Sequence, residues 1–145
     1  MKAVWSFWTK PFEAHRHSMW PSAKHHLLAW ALSFETARRH YPDTWLITDD
    51  AGARMLVDGV GLQFNRVSTE LNALAQYNPD WWAIGKVYAY GLQTEPFVHI
   101  DSDVFLWKRL PDRLERADVF AQSDYPEHYR RCVKYVDGDR CPRAL

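Results

Sequence analysis

Phe97-Val98-His99-Ile100-Asp101-Ser102-Asp103-Val104-Phe105-Leu106-Trp107 is an apolar run interrupted by two carboxylates. Phe97 to Ile100 reads as a short strand buried in a sheet, and Val104 to Trp107 resumes the apolar run beyond the acids. Two acids in such a setting repel each other unless a cation neutralises them or one keeps a proton. Oxygen ligands of this kind suit Mg²⁺ or Mn²⁺, which commonly keep positions open for substrate phosphates. On spacing alone the pair also reads as a loop cap or a solvent-facing pair, because D-x-D is short and frequent.

Upstream of this run, strands and helices alternate. Ala3 to Trp8 clusters β-branched and aromatic residues as a buried strand does, and ends at Thr9-Lys10-Pro11. Pro11 to Pro21 is a polar, His-bearing loop. From Ser22, a plausible N-cap, Leu27, Trp30, Ala31 and Phe34 recur at helical spacing, and the helix ends near Tyr41-Pro42. Thr44 to Thr48 is a second strand, and Asp49-Asp50 offers caps for a short helix through Val57, closed by Gly59 and Gly61. Leu62 to Val67 is a third strand. Asn78-Pro79 starts a helix over Asp80 to Leu92, with Trp81, Ile84, Val87 and Tyr88 on one face. Asp112 to Arg116 is helical and Val119 to Ala121 a further strand.

This order implies an α/β fold, a mostly parallel three-layer sheet with right-handed crossovers. Ligands of such sheets bind outside the carboxyl ends of the strands, where Thr9, Asp49 and Asp101 all fall. Asp49-Asp50 could hold a base or a ribose hydroxyl there, and capping the next helix explains the same two residues. The sheet domain is expected over residues 1–122. Residues 123–145 have few aliphatic side chains and read as a peripheral or poorly ordered tail.

Composition narrows the class. The chain has 145 residues, 47% of them hydrophobic, enough for one domain with a real core. Eighteen basic residues balance eighteen acidic ones, so no charge surplus points to nucleic acid or an anionic membrane. No stretch reaches membrane-spanning length and the N-terminus lacks a secretory h-region, so the expectation is a soluble cytoplasmic protein. Cys132 and Cys141, without CxxC spacing, read as reduced thiols. Eight tryptophans are more than a small core needs, and some are expected to line a groove for sugars or bases. The signatures G-x-S-x-G, G-x-x-x-x-G-K-[ST] and G-x-G-x-x-G are absent from the chain.

The stretch Gly85-Lys86-Val87-Tyr88-Ala89-Tyr90-Gly91, followed by Phe97 to Leu106, resembles the GT-A-fold nucleotide-sugar glycosyltransferases, in particular the glycogenin-like group. In that family a Lys-bearing helix leads into an apolar strand, an Asp-x-Asp motif and another apolar segment. The likeness extends in outline over residues 3 to 122, touching Trp5 to Thr9, the strand before Asp49, and Ala117 to Ala121. It implies a metal-dependent transferase with a nucleoside-diphosphate sugar donor, an acceptor the motif does not specify, and Mn²⁺ or Mg²⁺ as cofactor. It further implies that Asp103 ligates the metal, that Asp101 ligates it or holds the ribose, and that Lys86 faces the donor sugar or diphosphate as the catalytic cation. Ser102, Thr9 and Asp49 join them as substrate contacts. From the residues alone, Lys86 also reads as a solvated helix lysine.

The family's later motif, a His in a Gly- and Lys-containing segment, has no counterpart after Asp124; His128 lacks the glycine context. The expectation is therefore a truncated transferase domain, with a non-catalytic nucleotide- or carbohydrate-binding domain of the same fold as the alternative. His15, His17, His25 and His26 are expected on loop and helix surfaces, since adjacent helical residues point about 100° apart. His99 is expected to lie in the core or behind the acids, its side chain opposite that of Ile100.

Overall fold

The computed structural model describes residues 1–14 and 20–121. The chain divides between Arg109 and Leu110. The first unit spans Met1–Arg109; of the second, the described part contains one short helix, α5 (Asp112–Glu115).

The first strand, β1 (Lys2–Phe7), is central. It pairs in parallel with β2 (Thr44–Thr48), Ala3 opposite Thr44 through Phe7 opposite Thr48, and on its other side with β4 (Phe97–His99), Lys2 opposite Phe97. A short β3 (Arg66–Ser68) extends the sheet beyond β2, giving the order β3-β2-β1-β4 with every pairing parallel. An all-parallel sheet needs helices on both faces, because its strands are apolar on both sides. Alternation along β1 divides the core accordingly. Trp5 and Phe7 face α2 (Ala23–Ala37): Trp5 packs on Phe34 at 5.8 Å between ring centroids and Phe7 on Trp30 at 5.3 Å. Val4, Trp8 and Ile47 face the other way, onto Leu71 and Leu74 of a 3₁₀ turn (Glu70–Leu74) and Ala89 of α4 (Ile84–Gly91). Burying a side chain such as Phe34, 1% exposed, contributes roughly 1.5–3 kcal/mol.

Local chemistry sets the element ends. Ser22 caps α2, accepting from the His25 N–H, and Asp49 caps α3 (Asp50–Ala53), accepting from the Gly52 N–H. The helix runs on as π-helical turns over Arg54–Gly59 and closes at Gly61, whose φ of +83° is the left-handed conformation that favours glycine.

Four expectations are corrected. Pro11 does not open a loop; it sits in the first turn of α1 (Thr9–Ala14), where its missing N–H has no intrahelical acceptor anyway. The third strand begins at Arg66 rather than Leu62, because Asn65 is tied across to Thr44, its Oδ1 accepting from both the Thr44 N–H and hydroxyl. The helix over 80–92 is split into a 3₁₀ turn (Pro79–Trp81), whose Trp81 is exposed, and α4, which buries Gly85 and Ala89, packs Ile84 and Tyr88 on the core and leaves Val87 exposed. Two small residues let α4 approach Trp8 closely; a Cβ at Gly85 would lie 3.0 Å from the Cβ of Trp8. Finally, Val119 lies on an exposed bend, and no strand forms over 119–121. Among the described residues no helix is long and apolar enough to cross a membrane. The tail expected over 123–145, with His128, Cys132 and Cys141, lies outside the described residues, as do His15 and His17.

Two glycines give opposed predictions. A Cβ at Gly52 would overlap the Thr48 hydroxyl and lie 2.9 Å from the Phe7 ring, so Gly52→Ala is expected to lower stability by roughly 1–3 kcal/mol. Gly91 has open space around it, so Gly91→Ala is expected to be neutral or stabilising by up to about 1 kcal/mol. Urea unfolding of both variants checks the pair, and an equal loss in both would refute the packing account.

Candidate functional site

The chain leaves β1 toward β2 on one side, while β4 joins on the other, so the strand order reverses between β1 and β4. The crevice outside the carboxyl ends at such a reversal is where open α/β sheets bind ligands. Ile100 N–H donates to the Val4 carbonyl at 2.9 Å, extending the β1–β4 pairing by one residue. By alternation Ser6, His99 and Asp101 then share the face covered by α4.

These residues form a connected set. The Ser6 hydroxyl and His99 Nε2 are 2.9 Å apart, and His99 Nδ1 is 3.7 Å from Asp101 Oδ1. The tautomer with its proton on Nδ1, toward Asp101, leaves Nε2 to accept from Ser6. The Lys86 ammonium, reaching from α4, lies 2.7 Å from Asp101 Oδ1 and 2.8 Å from Oδ2. Lys86 also stands 5.4 Å from the centre of the Trp82 ring, and Tyr90 meets His99 edge-on at 4.9 Å. Burial drives the His99 pKa down to about 4; the Asp101 charge opposes this and Lys86 adds to it. The Tyr90 phenol is pushed up, first by burial and then by the Asp101 charge. At neutral pH the set is therefore a neutral imidazole beside an ion pair.

The main chain turns sharply at Asp101. Its carbonyl accepts from the Ser33 hydroxyl at 2.9 Å and from the Val104 N–H at 3.0 Å. The turn holds Ser102 half-buried and presents Asp103 to solvent. Asp103 makes no hydrogen bond or ion pair with any described residue, whereas Asp101 is engaged on both oxygens.

Thr9 and Asp49 lie at the same end of the sheet, on the β2 side of β1. Asp49 is bound three times: Oδ2 accepts from the Thr9 N–H and hydroxyl, both at 2.8 Å, and Oδ1 from the Gly52 N–H at 2.8 Å. Only 8% exposed, it clamps the exits of β1 and β2 together and caps α3. Asp50 exchanges two hydrogen bonds with Asn72. These residues, with Glu13 and Arg54, border a shallow cleft of about 280 Å³.

Ser6, Tyr90 and Trp82 join the site without having been expected there. Ser6 carried a signal, as the one polar residue between Ala3 and Trp8. His26, expected on the helix surface, is buried: it stacks on Phe12 at 4.5 Å, its Nε2 accepts from Trp30 Nε1 at 3.2 Å, and its Nδ1 has no hydrogen-bond partner. Burial lowers its pKa, with Asp103 opposing. His25 lies on the surface as expected, bonded to Ser22. Among the described residues no three His, Cys, Asp or Glu side chains gather as a metal-binding group.

Over residues 1–141 the chain matches a family described as a family of unknown function, DUF6734. The chain belongs to that family. No curated protein matches the chain, and no solved structure matches it. The α/β architecture and the all-parallel sheet therefore rest on the strands themselves.

His99 gives a pH prediction. Its native pKa of about 4 lies below the ordinary 6.5, so the unfolded chain binds the proton first as pH falls. The stability this lends is whole above pH 6.5 and is lost between about 6.5 and 4, at up to about 1.4 kcal/mol per pH unit. Denaturation across that window is expected to show a flatter slope in His99→Gln than in the parent. Equal slopes would show that His99 is not buried neutral.

Proposed function

We propose that this chain binds a nucleoside-diphosphate sugar together with Mn²⁺ or Mg²⁺ outside the carboxyl ends of β1 and β4, as a GT-A-like glycosyltransferase domain. The observation that carries the reading is the pair of acids following β4 at the strand-order reversal, with Lys86 ion-paired to the first of them. The donor set suits a hard cation that arrives with its phosphates: Asp103 is exposed and uncommitted among the described residues, and such ions are held by one or two carboxylates plus substrate oxygens. Asp103 would hold the ion, joined by Asp101 only if Lys86 yields an oxygen. Bound there, a divalent cation supplies the charge that stabilises a departing diphosphate. Lys86 and Asp101 face the reacting sugars from the end of β4, with neutral His99 behind them, its Nδ1 3.7 Å from Asp101 Oδ1. The half-buried ion pair strengthens contacts made beside it. The α/β sheet and the absence of a membrane-spanning helix among the described residues are compatible with a soluble cytoplasmic enzyme.

A second reading is a binding domain that performs no transfer. Asp101's commitment to Lys86 on both oxygens favours it, as does the lack of a third metal-binding side chain among the described residues. Slow Mn²⁺-dependent cleavage of the donor without acceptor would separate the two, since only a transferase activates the sugar–phosphate bond.

Titration calorimetry of the full chain with Mn²⁺ and uridine, guanosine and cytidine diphosphates tests the proposal. At least one nucleotide is expected to bind only with the metal, and Asp103→Asn to weaken that binding tenfold or more, or about 1.4 kcal/mol, at an unchanged unfolding midpoint. Failure of all three nucleotides to bind would sink the reading.

A further inference from the structure

Trp82 stands where the Pro79–Trp81 turn enters α4, and 61% of its surface is exposed. Trp81 is equally exposed but pairs with Tyr77, at 6.2 Å between ring centroids. Trp82 has the Lys86 ammonium as its charged neighbour, and that ammonium is hydrogen-bonded to Asp101 Oδ2 and ion-paired with Oδ1. One cation thus joins an open indole to the carboxylate at the end of β4. A single exposed aromatic ring is ordinary on a protein surface. What distinguishes Trp82 is the polar pair beside it.

Lysine has three N–H donors, one of which is hydrogen-bonded to Asp101 Oδ2 while Oδ1 lies 2.7 Å from the ammonium; each Asp101 oxygen keeps further acceptor capacity. The pair carries no net charge. A phosphate would meet no surplus of positive charge at this spot, and a purely apolar ligand would leave donors and acceptors unmatched. A pyranose ring has both required characters: a C–H face that lies flat on an indole, and hydroxyls around its rim that both donate and accept. We infer that Trp82 is the platform for the pyranose ring of a neutral saccharide acceptor, whose hydroxyls meet the Lys86–Asp101 pair. This deepens the proposed transferase reading, and rests on it for the word acceptor.

The experiment uses the full chain labelled with 5-fluorotryptophan, the Trp82 and Trp81 signals being assigned with Trp82→Phe and Trp81→Phe. Maltose, cellobiose and lactose are titrated without nucleotide or metal. At least one is expected to shift the Trp82 signal saturably while the Trp81 signal stays, and Trp82→Ala to weaken that binding tenfold or more with the unfolding midpoint unchanged. The inference is overturned if no saccharide moves the Trp82 signal, if only uridine diphosphate with Mn²⁺ does so by stacking its base, or if only protein concentration does, a second copy then covering the ring. Saccharide binding at Trp82 in a chain that binds no nucleoside diphosphate would remove the transferase reading and keep the platform. Nucleotide binding without any saccharide effect would do the reverse.

Discussion

One hydrogen-bonded line organises the molecule: the Trp5 indole N–H donates to the Ser33 hydroxyl, which donates to the Asp101 carbonyl. It runs from the middle of β1 through α2 to the turn after β4, joining three segments far apart in sequence. Each polar group in it is buried or half-buried, so each needs its partner to offset the loss of water. The tightness of the Asp101 turn, and hence the outward direction of Asp103, follows from it. Leu106 N–H, bonded to the Thr36 hydroxyl, fastens the next residues to the same helix.

A similar division of labour separates the acids. Asp49 and Asp101 both follow strands, yet Asp49 is enclosed by three donors that belong to the main chain and Thr9, whereas Asp101 answers to one mobile-stemmed cation. Rigid donors make Asp49 a fastener. A lysine partner can be exchanged for another cation or a hydroxyl at small geometric cost, so the Asp101 carboxylate is the less fixed of the two.

How much of this was written in the sequence depends on the range of the interaction. Strands β1, β2 and β4 were legible because runs such as Thr-Trp-Leu-Ile-Thr at 44–48 are apolar without a helical period, and Ser22 and Asp49 announced their helices by short-range capping. The parallel direction of the strands, though not their order in the sheet, followed from alternation of elements. The expected face of α4 was half right: Ile84 and Tyr88 pack on the core, whereas Val87 is exposed and its place is taken by the small Gly85 and Ala89, because close approach to Trp8 excludes a large side chain. The start of β3 was set by Asn65 bonding a residue 21 positions away. In the candidate site, the acids and Lys86 were visible as a spaced motif. Their pairing was not, because Lys86 and Asp101 meet only once α4 and β4 are packed. Burial of His26 escaped notice for a related reason: it depends on Phe7 and Phe12 closing over the start of α2.

The sheet's two outer strands, β3 and β4, each have three residues, against six and five for the inner pair. Exposed strand edges are templates on which foreign chains add, and their hazard grows with the number of unpaired main-chain groups in a row. Edges this short give an incoming strand little to grip. Among the described residues, the protein thus keeps its long, strongly apolar strands in the middle, where they hold the core, and offers the solution only fragments too brief to seed a fibril.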